Sequence, residues 1–386
     1  MKLENLVLKV TSKCNLNCSY CYVFNKGDKS FKKEPSFLDL RTSEKLLYRL
    51  NNHIKKHNLK TFLLIFHGGE PLLVGKKFYS DFIELANKII TDIKIDFALQ
   101  TNGTLLNEEW CDLFKRLKIN IGVSMDGTPF ANENRVYRKD KTSAYTDILK
   151  GIETLKDSYN EVAILSVINT KEEPIKVYEH FKKIGITHGS FLFPDLNYDQ
   201  VQDPNDIPKV GEWLIKLFDL WYDDTETRPM FRPFNFLCQK ILGYTELGNE
   251  MFGTNENAVL TVKTNGDIEA VDSLRICGNG FTRTNLNVDR NELDDLFKDN
   301  LFKNYYYAHS DDYLSKNCLE CEIKELCGGG QLAHRFSNKN NFDNPSVYCN
   351  QIYNLIRHIQ NRLLADLPEN IINDCKIEKI GYYENV

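Results

Sequence analysis

The chain has 386 residues, of which 42% are hydrophobic and 27% charged, and these proportions exclude a disordered, collagen-like or fibrous protein. Lys and Arg number 49 against 54 Asp and Glu, so the net charge of -5 indicates no general affinity for nucleic acid or anionic membranes. No apolar run approaches the ~20 residues that a membrane helix needs, and residues 1–16 lack the layout of a signal peptide. We predict a cytoplasmic protein with no nucleic-acid or membrane partner.

Short β-rich runs alternate with amphipathic segments of helical length from residue 5 to about residue 193. The six predicted strands are 5–10, 61–66, 96–100, 119–124, 162–167 and 189–193. The predicted helices between them are 42–56, 75–95, 107–117, 142–155 and 173–184. These units predict an α/β fold, a parallel sheet curved into a full or partial (β/α)6 barrel of the TIM type, with an open doubly wound sheet as the alternative.

The pattern changes in the second half of the chain. A polar loop over 195–208 leads to a predicted helix over 209–222, and residues 258–262 and 268–271 flank an Asn-Gly turn, which is a strong hairpin signal. A Gly-rich stretch then precedes an amphipathic helix from residue 348 to about residue 364. The predicted division is a barrel over 1–225, a linking segment over 226–255 and a second domain over 256–386.

Eleven cysteines are more than packing needs in a reduced intracellular enzyme, so their spacing indicates a function. Cys14, Cys18 and Cys21 share one loop after the first predicted strand. A [4Fe-4S] cluster held by three cysteines keeps one iron open for a substrate, whereas a structural zinc site needs a fourth ligand close by. The nearest histidine, His53, lies in a predicted helix beyond the loop. Metal binding is therefore favoured over disulfides, and an iron-sulfur cluster over a structural zinc site.

A second group of cysteines lies late in the chain, at spacings that suit an iron-sulfur cluster or a zinc ribbon. Its members are Cys318, Cys321, Cys327 and Cys349. Three further cysteines stand alone and are interpreted as plain buried thiols, namely Cys111, Cys238 and Cys375.

Polar motifs follow three of the predicted strands directly. The second strand runs into His67-Gly68-Gly69-Glu70, where glycines let the backbone approach a ligand and a carboxylate can bind an ammonium group, although a tight turn alone would explain the motif. The next two strands end in Gln100-Thr101-Asn102 and Ser124-Met125-Asp126. Because the carboxyl ends of barrel strands form the active-site face, we expect a binding site there.

The cysteine triplet, with Tyr20 before its third member, resembles the signature of the radical S-adenosylmethionine (SAM) enzymes. The resemblance implies that Cys14, Cys18 and Cys21 hold a [4Fe-4S] cluster that binds SAM and cleaves it to a 5′-deoxyadenosyl radical. It also implies that Tyr20 lies near the adenine. The residues that it places around the rest of SAM are Gly68, Gly69 and Glu70 at the amino group, Asn102 and Asp126 in adjoining loops, and Ser124 with Arg135, or else Arg138, at the carboxylate.

The late cysteines, with the glycines after Cys327, resemble the SPASM domain, a C-terminal iron-sulfur module of radical SAM enzymes that modify peptides and proteins. The full pattern holds two clusters and has a cysteine four positions after the third, where this chain has Gln331. Residues 255–265, where other ligands are expected, contain no cysteine. We predict one auxiliary [4Fe-4S] cluster, and Cys277 is left as a vestige, a core thiol or a ligand. The predicted cluster ligands are Cys318, Cys321, Cys327 and Cys349.

Further stretches resemble one SPASM branch, the maturases that join an aromatic side-chain carbon to the Cβ of a residue two positions later in a cyclophane. They are residues 191–195, 264–269, 334–336 and 344–349. The resemblance implies an enzyme that abstracts a Cβ hydrogen from a ribosomal precursor peptide and crosslinks it, served by a flavodoxin or ferredoxin-type reductant. Asp195 is the predicted base for the released proton, although a loop-capping aspartate explains it more simply.

Two kinds of alternative stay open. With the same fold and cofactors, the product is a thioether, an epimerised residue, or formylglycine as in anaerobic sulfatase-maturing enzymes, and the missing ligand at Gln331 disfavours the last. In a different class, the chain is an iron-sulfur electron carrier or a zinc-stabilised binding protein without catalysis. SAM binding would separate the enzymes from this second class.

Overall fold

The structure is a computed structural model that describes residues 1–244 and 249–374. Its strands are β1 (Asn5–Thr11), β2 (Thr61–Gly68), β3 (Lys94–Thr101), β4 (Ile119–Ser124), β5 (Ala163–Val167), β6 (His188–Leu192), β7 (Met230–Phe231), β8 (Val259–Val262), β9 (Asp267–Glu269) and β10 (Leu286–Asn287). Its α-helices are α1 (Leu40–His57), α2 (Lys76–Ile89), α3 (Glu108–Leu117), α4 (Tyr145–Ser158), α5 (Pro174–Ile184), α6 (Val210–Asp223), α7 (Arg232–Ile241), α8 (Asn300–Tyr306), α9 (Lys316–Leu319), α10 (Lys324–Cys327), α11 (Cys349–Asp366) and α12 (Glu369–Asp374). Cys375, interpreted from the sequence as a buried thiol, lies outside the described residues.

The chain folds into two compact units. The first unit consists of Met1–Ser166, Ile184–Ile186 and Ala258–Tyr306. The second consists of Val167–Lys183, Thr187–Asn257 and the described chain from Tyr307 onward. The predicted domain boundaries at residues 225 and 255 stay predictions, because these units follow spatial compactness and each one collects several stretches of the chain.

The first unit is built on a sheet with the strand order β10-β9-β8-β1-β2-β3-β4-β5. Strands β1 to β5 pair in parallel, and β8 is parallel to β1. The short β9 is antiparallel to both β8 and β10. Phe66 of β2 packs on Tyr79 and Phe82 of α2, with ring centres 5.1 and 5.2 Å away. Since side chains alternate along a strand, Ile65 and His67 lie on the opposite face of β2, where they are only half-buried.

The second unit holds the sixth β/α strand and the late cysteines. β6 pairs in parallel with β7, and Phe191 of β6 packs between Trp213 of α6 and Phe231, with ring centres at 5.8 and 4.9 Å. Helix α11 lies along α6, where Gln351 Oε1 accepts a hydrogen bond of 2.9 Å from the backbone N–H of Gly211. Cys318, Cys327 and Cys349 lie on α9, α10 and α11, and Cys321 follows α9.

The strands predicted from the sequence are all present, with ends that differ by one or two residues. The predicted hairpin is β8 and β9, and the predicted late helices are α6 and α11. The predicted helix over 75–95 is too long, because α2 ends at Ile89 and β3 begins at Lys94, with a short turn between them.

None of the helices in the described part of the chain is both long enough and apolar enough to cross a membrane.

Candidate active site

The N-terminal cysteines lie on the loop that follows β1, and all three thiols are half-buried. The N–H of Leu16 points at Cys14 Sγ at 3.4 Å, and the N–H of Cys21 donates to the carbonyl of Cys18 at 3.1 Å. Burial, with the nearby charge of Glu70, raises the pKa of Cys14 to about 12, and burial raises that of Cys18 to about 11. Without a metal, the thiols of Cys14 and Cys18 stay protonated near neutral pH, so a bound cation is needed to make them thiolates.

Gly68 and Gly69 pack directly against the cysteine loop. A Cβ atom on Gly68 would lie 2.3 Å from the carbonyl oxygen of Thr11, and one on Gly69 would lie 2.1 Å from that of Lys13. The N–H of Gly69 donates to Thr11 at 3.0 Å and the N–H of Glu70 to Lys13 at 2.8 Å. We expected these glycines to let the backbone approach a ligand. Instead, the backbone of the cysteine loop fills the space beside them, and the glycines allow this loop to pack on the end of β2.

Glu70 is fully buried and accepts three hydrogen bonds. They come from Thr101 Oγ1 at 2.7 Å, the N–H of Asn102 at 2.8 Å and the N–H of Leu72 at 3.0 Å. Burial raises the pKa of Glu70 to about 7 against the opposing effect of these bonds, and no cationic side chain of the described residues contributes. This carboxylate is therefore oriented by the chain but lacks a positive partner, which an ammonium group would supply.

Asn102 connects this carboxylate to the cysteine loop. Its side-chain amide donates to Asn15 Oδ1 at 2.9 Å and lies 3.8 Å from Cys14 Sγ. Ser124, by contrast, accepts a hydrogen bond of 2.9 Å from Gln100 Nε2. The structure thus brings Glu70, Asn102 and Cys14 together, with Ser124 held by a neighbouring strand.

Arg135 and Asp126 form a buried ion pair, with the two parallel hydrogen bonds at 3.0 and 2.8 Å that suit a guanidinium and a carboxylate. Tyr20 donates to the same carboxylate at 2.5 Å, and the guanidinium lies 5.4 Å from the centre of its ring. Arg138 instead donates to the backbone carbonyls of Cys14 at 3.3 Å and Leu16 at 3.1 Å. Arg135 therefore belongs to a charge-balanced cluster, and Arg138 holds the cysteine loop.

Lys9 and His67 belong to the same region, and sequence reasoning missed Lys9 and gave His67 no role. The Lys9 ammonium forms a buried ion pair with Asp272 and lies 3.1 Å from His67 Nδ1. Burial, helped by Lys9, lowers the pKa of His67 to about 3, so the ring is neutral. A lysine inside a strand is usually exposed, and only the pairing of β1 with β2 in register shows that the two side chains meet.

The late cysteines approach one another in the second unit. Burial raises the pKa of Cys327 to about 12 and that of Cys349 to about 11, and the neighbouring cysteines add to both shifts. In the described chain, the only three metal-binding side chains whose ligand atoms all lie within 4.8 Å of one another are those of His53, His57 and Asp294. The four late thiols are candidate ligands for an iron-sulfur cluster or a zinc ion.

Three remaining predictions concern residues outside these two groups. Asp195 lies just after β6, next to Pro194, whose carbonyl accepts a hydrogen bond of 2.8 Å from the hydroxyl of Tyr348. Burial raises the pKa of Tyr348, and the negative charge of Asp195 adds to this shift. Gln331 donates to Glu250 at 3.2 Å. Cys277 is half-buried in the first unit, at the end of a short helical turn that begins at Asp272.

Comparison with known proteins gives this geometry a family. The Radical SAM superfamily model matches residues 8–184. The cysteine-type anaerobic sulfatase-maturating enzyme of Clostridium novyi (strain NT) is 29% identical over 364 residues, which are 90% of this chain and 92% of that protein. An uncharacterized protein of Methanocaldococcus jannaschii is 36% identical over 235 residues, 59% of this chain and 76% of that protein.

A solved structure described as native anSMEcpe with bound AdoMet matches this chain with a TM-score of 0.78 and 25% identity. The match covers 96% of this chain and 99% of the other. It confirms the predicted α/β class with its parallel sheet over almost the whole length of the chain.

Proposed function

Because the chain belongs to the radical SAM superfamily and is an enzyme, we propose that it oxidises a Cys or Ser side chain of a protein or peptide to formylglycine. The observation that carries this proposal is the likeness to a sulfatase-maturating enzyme over 90% of the chain, at 29% identity. The sequence favoured crosslink formation and placed formylglycine second. No comparison supports the cyclophane branch, so we reverse that order.

The family binds a [4Fe-4S] cluster and SAM, and the residues of the first unit suit both. Three thiols on one loop match a cluster with an open iron, and the buried carboxylate of Glu70 has no cationic partner within residues 1–244 and 249–374. When bound, the cluster and SAM supply a 5′-deoxyadenosyl radical that removes a hydrogen atom from the substrate Cβ. We assign cluster binding to Cys14, Cys18 and Cys21.

We assign each part of SAM to a different side chain around the cysteine loop. Glu70 takes the ammonium group, with Asn102 beside it, and the ring of Tyr20 lies against the adenine. Arg135 turns its Nε and Nη2 toward Asp126, which leaves Nη1 for the SAM carboxylate, with Ser124 nearby. Since these groups are already oriented by hydrogen bonds within the chain, little reorganisation is needed when SAM binds.

We assign an auxiliary [4Fe-4S] cluster to Cys318, Cys321, Cys327 and Cys349. Oxidation of the Cβ position removes a second electron after the hydrogen atom, and this cluster would accept it. From Ser this gives the aldehyde directly, and from Cys it gives a thioaldehyde that water would hydrolyse, with the sulfur leaving as hydrogen sulfide. Asp195 stays the predicted base for the accompanying proton, and a flavodoxin or ferredoxin-type protein stays the predicted reductant.

Crosslink formation in a ribosomal precursor peptide is the second candidate. Gln331, which donates a hydrogen bond to Glu250, occupies the position at which the two-cluster pattern has a cysteine. This departure from the sulfatase-maturase pattern favours a relative with one auxiliary cluster.

The test is product analysis under strictly anaerobic conditions. Reconstituted protein, SAM and dithionite are mixed with three matched peptides that span the active-site residue of a bacterial sulfatase and carry cysteine, serine or alanine there. We expect an aldehyde that reacts with a hydrazide in the cysteine or serine peptide, with loss of sulfur where cysteine reacts, and no aldehyde in the alanine peptide. Loss of two hydrogens without an aldehyde would favour the crosslinking candidate, and SAM cleavage with no change in any of the peptides would contradict the formylglycine proposal.

A further inference from the structure

Arg335 is fully buried, at 0% exposure, and its guanidinium donates only to backbone carbonyls. Nη1 donates to Ala308 at 2.7 Å, Nη2 donates to Phe342 at 3.0 Å and also to Tyr313, and Nε donates to Phe342 and Asn344 at 3.2 Å each. The side chain is therefore held in one position by neutral acceptors on several segments of the second unit.

The other two buried arginines of the described chain have carboxylate partners. Arg135 pairs with Asp126, and Arg275 pairs with three acidic side chains, those of Asp28, Glu269 and Asp272. Burial alone would lower the pKa of both, but these carboxylates raise it. Burial instead lowers the pKa of Arg335, which forms no ion pair with a carboxylate in the part of the chain that the structure describes.

A buried cation without a counter-ion is costly, because desolvation of its charge is not repaid by Coulomb attraction. The anionic groups that oppose this effect on Arg335 are the thiolate forms of Cys318 and Cys327, together with Asp343. Nη1 also lies 3.5 Å from where a Cβ on Gly329 would stand, two residues after Cys327. The uncompensated charge thus lies beside the glycines that follow Cys327, close to the late cysteine site.

We propose that Arg335 is the counter-ion of the auxiliary cluster and raises its reduction potential. This inference rests on the proposed ligand set of Cys318, Cys321, Cys327 and Cys349. One-electron reduction makes the cluster and its four thiolates one charge more negative, and a fixed positive charge in a poorly polarisable interior stabilises the reduced form more than the oxidised form. Arg335 thereby makes the cluster a better acceptor for the electron that leaves the substrate.

The experiment uses the full-length chain with Cys14, Cys18 and Cys21 replaced by alanine, so that only the auxiliary cluster remains. Arg335→Gln removes the charge and Arg335→Lys keeps it. After anaerobic reconstitution, the measured quantities are iron content and the midpoint potential, by redox titration followed with EPR. We expect the midpoint of Arg335→Gln to shift to more negative potential, while Arg335→Lys stays close to the parent.

Lys324→Gln is the matched control, because it also removes a positive charge near Cys327, but one that already pairs with Asp311 and Glu325. We expect a much smaller shift there. Arg335→Gln could instead lose its iron while Arg335→Lys keeps its iron and the midpoint potential of the parent. That result would support the need for a counter-ion as much as the shift in midpoint potential would.

Equal behaviour of Arg335→Gln and Arg335→Lys, whether both lose iron or both keep the parent potential, would show that Arg335 acts only through its backbone hydrogen bonds. A parent protein without bound iron would instead overturn the ligand set itself, and the inference with it. Neither result bears on the chemical outcome of SAM cleavage, which the peptide assay measures separately.

Discussion

The two cysteine sites have opposite charge imbalances. Around the N-terminal loop, the buried Arg135 is matched by Asp126, but the buried Glu70 has no cationic partner among the residues that the structure describes. In the second unit, the buried Arg335 has no carboxylate partner in the described chain. The first site is short of a positive charge and the second of a negative one. This difference fits an ammonium ligand at the first site and an anionic metal cluster at the second.

Removal of the first metal site should have the largest effect. A variant with Cys14, Cys18 and Cys21 replaced by alanine should lose all SAM cleavage, because no open iron remains, and its iron content should fall from about eight to about four per chain. The measurements are iron and sulfide content and 5′-deoxyadenosine formed under dithionite.

Cys277→Ala is the matched control for that experiment. It should keep about eight irons and full cleavage, because we assign Cys277 to no cluster. About twelve irons in the parent, falling in Cys277→Ala, would show that a second auxiliary cluster exists after all.

Asp126→Asn would leave Arg135 as a buried arginine without its carboxylate partner, the situation that Arg335 has in the second unit. Both partners of the ion pair are almost fully buried, so loss of the carboxylate should lower the free energy of unfolding by about 3–5 kcal/mol. Urea unfolding of the metal-free protein measures this. The double variant Asp126→Asn with Arg135→Met should recover part of the loss, and no recovery would mean that the carboxylate acts through Tyr20 or the loop instead.

A smaller effect is expected from the ionisation of Glu70. Its pKa of about 7 lies above the usual value for Glu, so the charged carboxylate that we propose as the ligand of the SAM ammonium group is lost as the pH falls below about 7. SAM affinity should weaken about tenfold per pH unit below that value. Equilibrium dialysis of the oxidised, reconstituted protein measures it. Glu70→Gln should bind weakly with little pH dependence, and a slope equal to that of the parent would rule Glu70 out as the titrating group.

The sequence was sufficient to predict the strands and most of the helices, and to predict which residues come together at the strand ends. The alternation of β-rich runs and helices predicted β1 to β6, and parallel pairing by itself brings Glu70 and Asn102 to one edge. It could not show that Gly69 faces Lys13 rather than a ligand, because a close approach of two backbones leaves no signal in residue type.

Charge partners were also beyond sequence reasoning. Arg335 and Arg135 are the same residue type, and only the fold decides that one meets a carboxylate and the other meets carbonyls. For the same reason, no role for Lys9 could be predicted, since its partners Asp272 and His67 come from distant parts of the chain.

The hydrogen bonds that hold the cysteine loop at the end of β2 affect the order of folding and cluster insertion. Gly69, Glu70 and Arg138 hold the backbone of residues 11–16 by hydrogen bonds that involve no metal. The conformational entropy of this loop is therefore lost when the chain folds, before any iron arrives. An iron-sulfur donor then meets the backbone at Cys14 already in position, so for this part of the loop cluster transfer is a ligand exchange rather than a folding step.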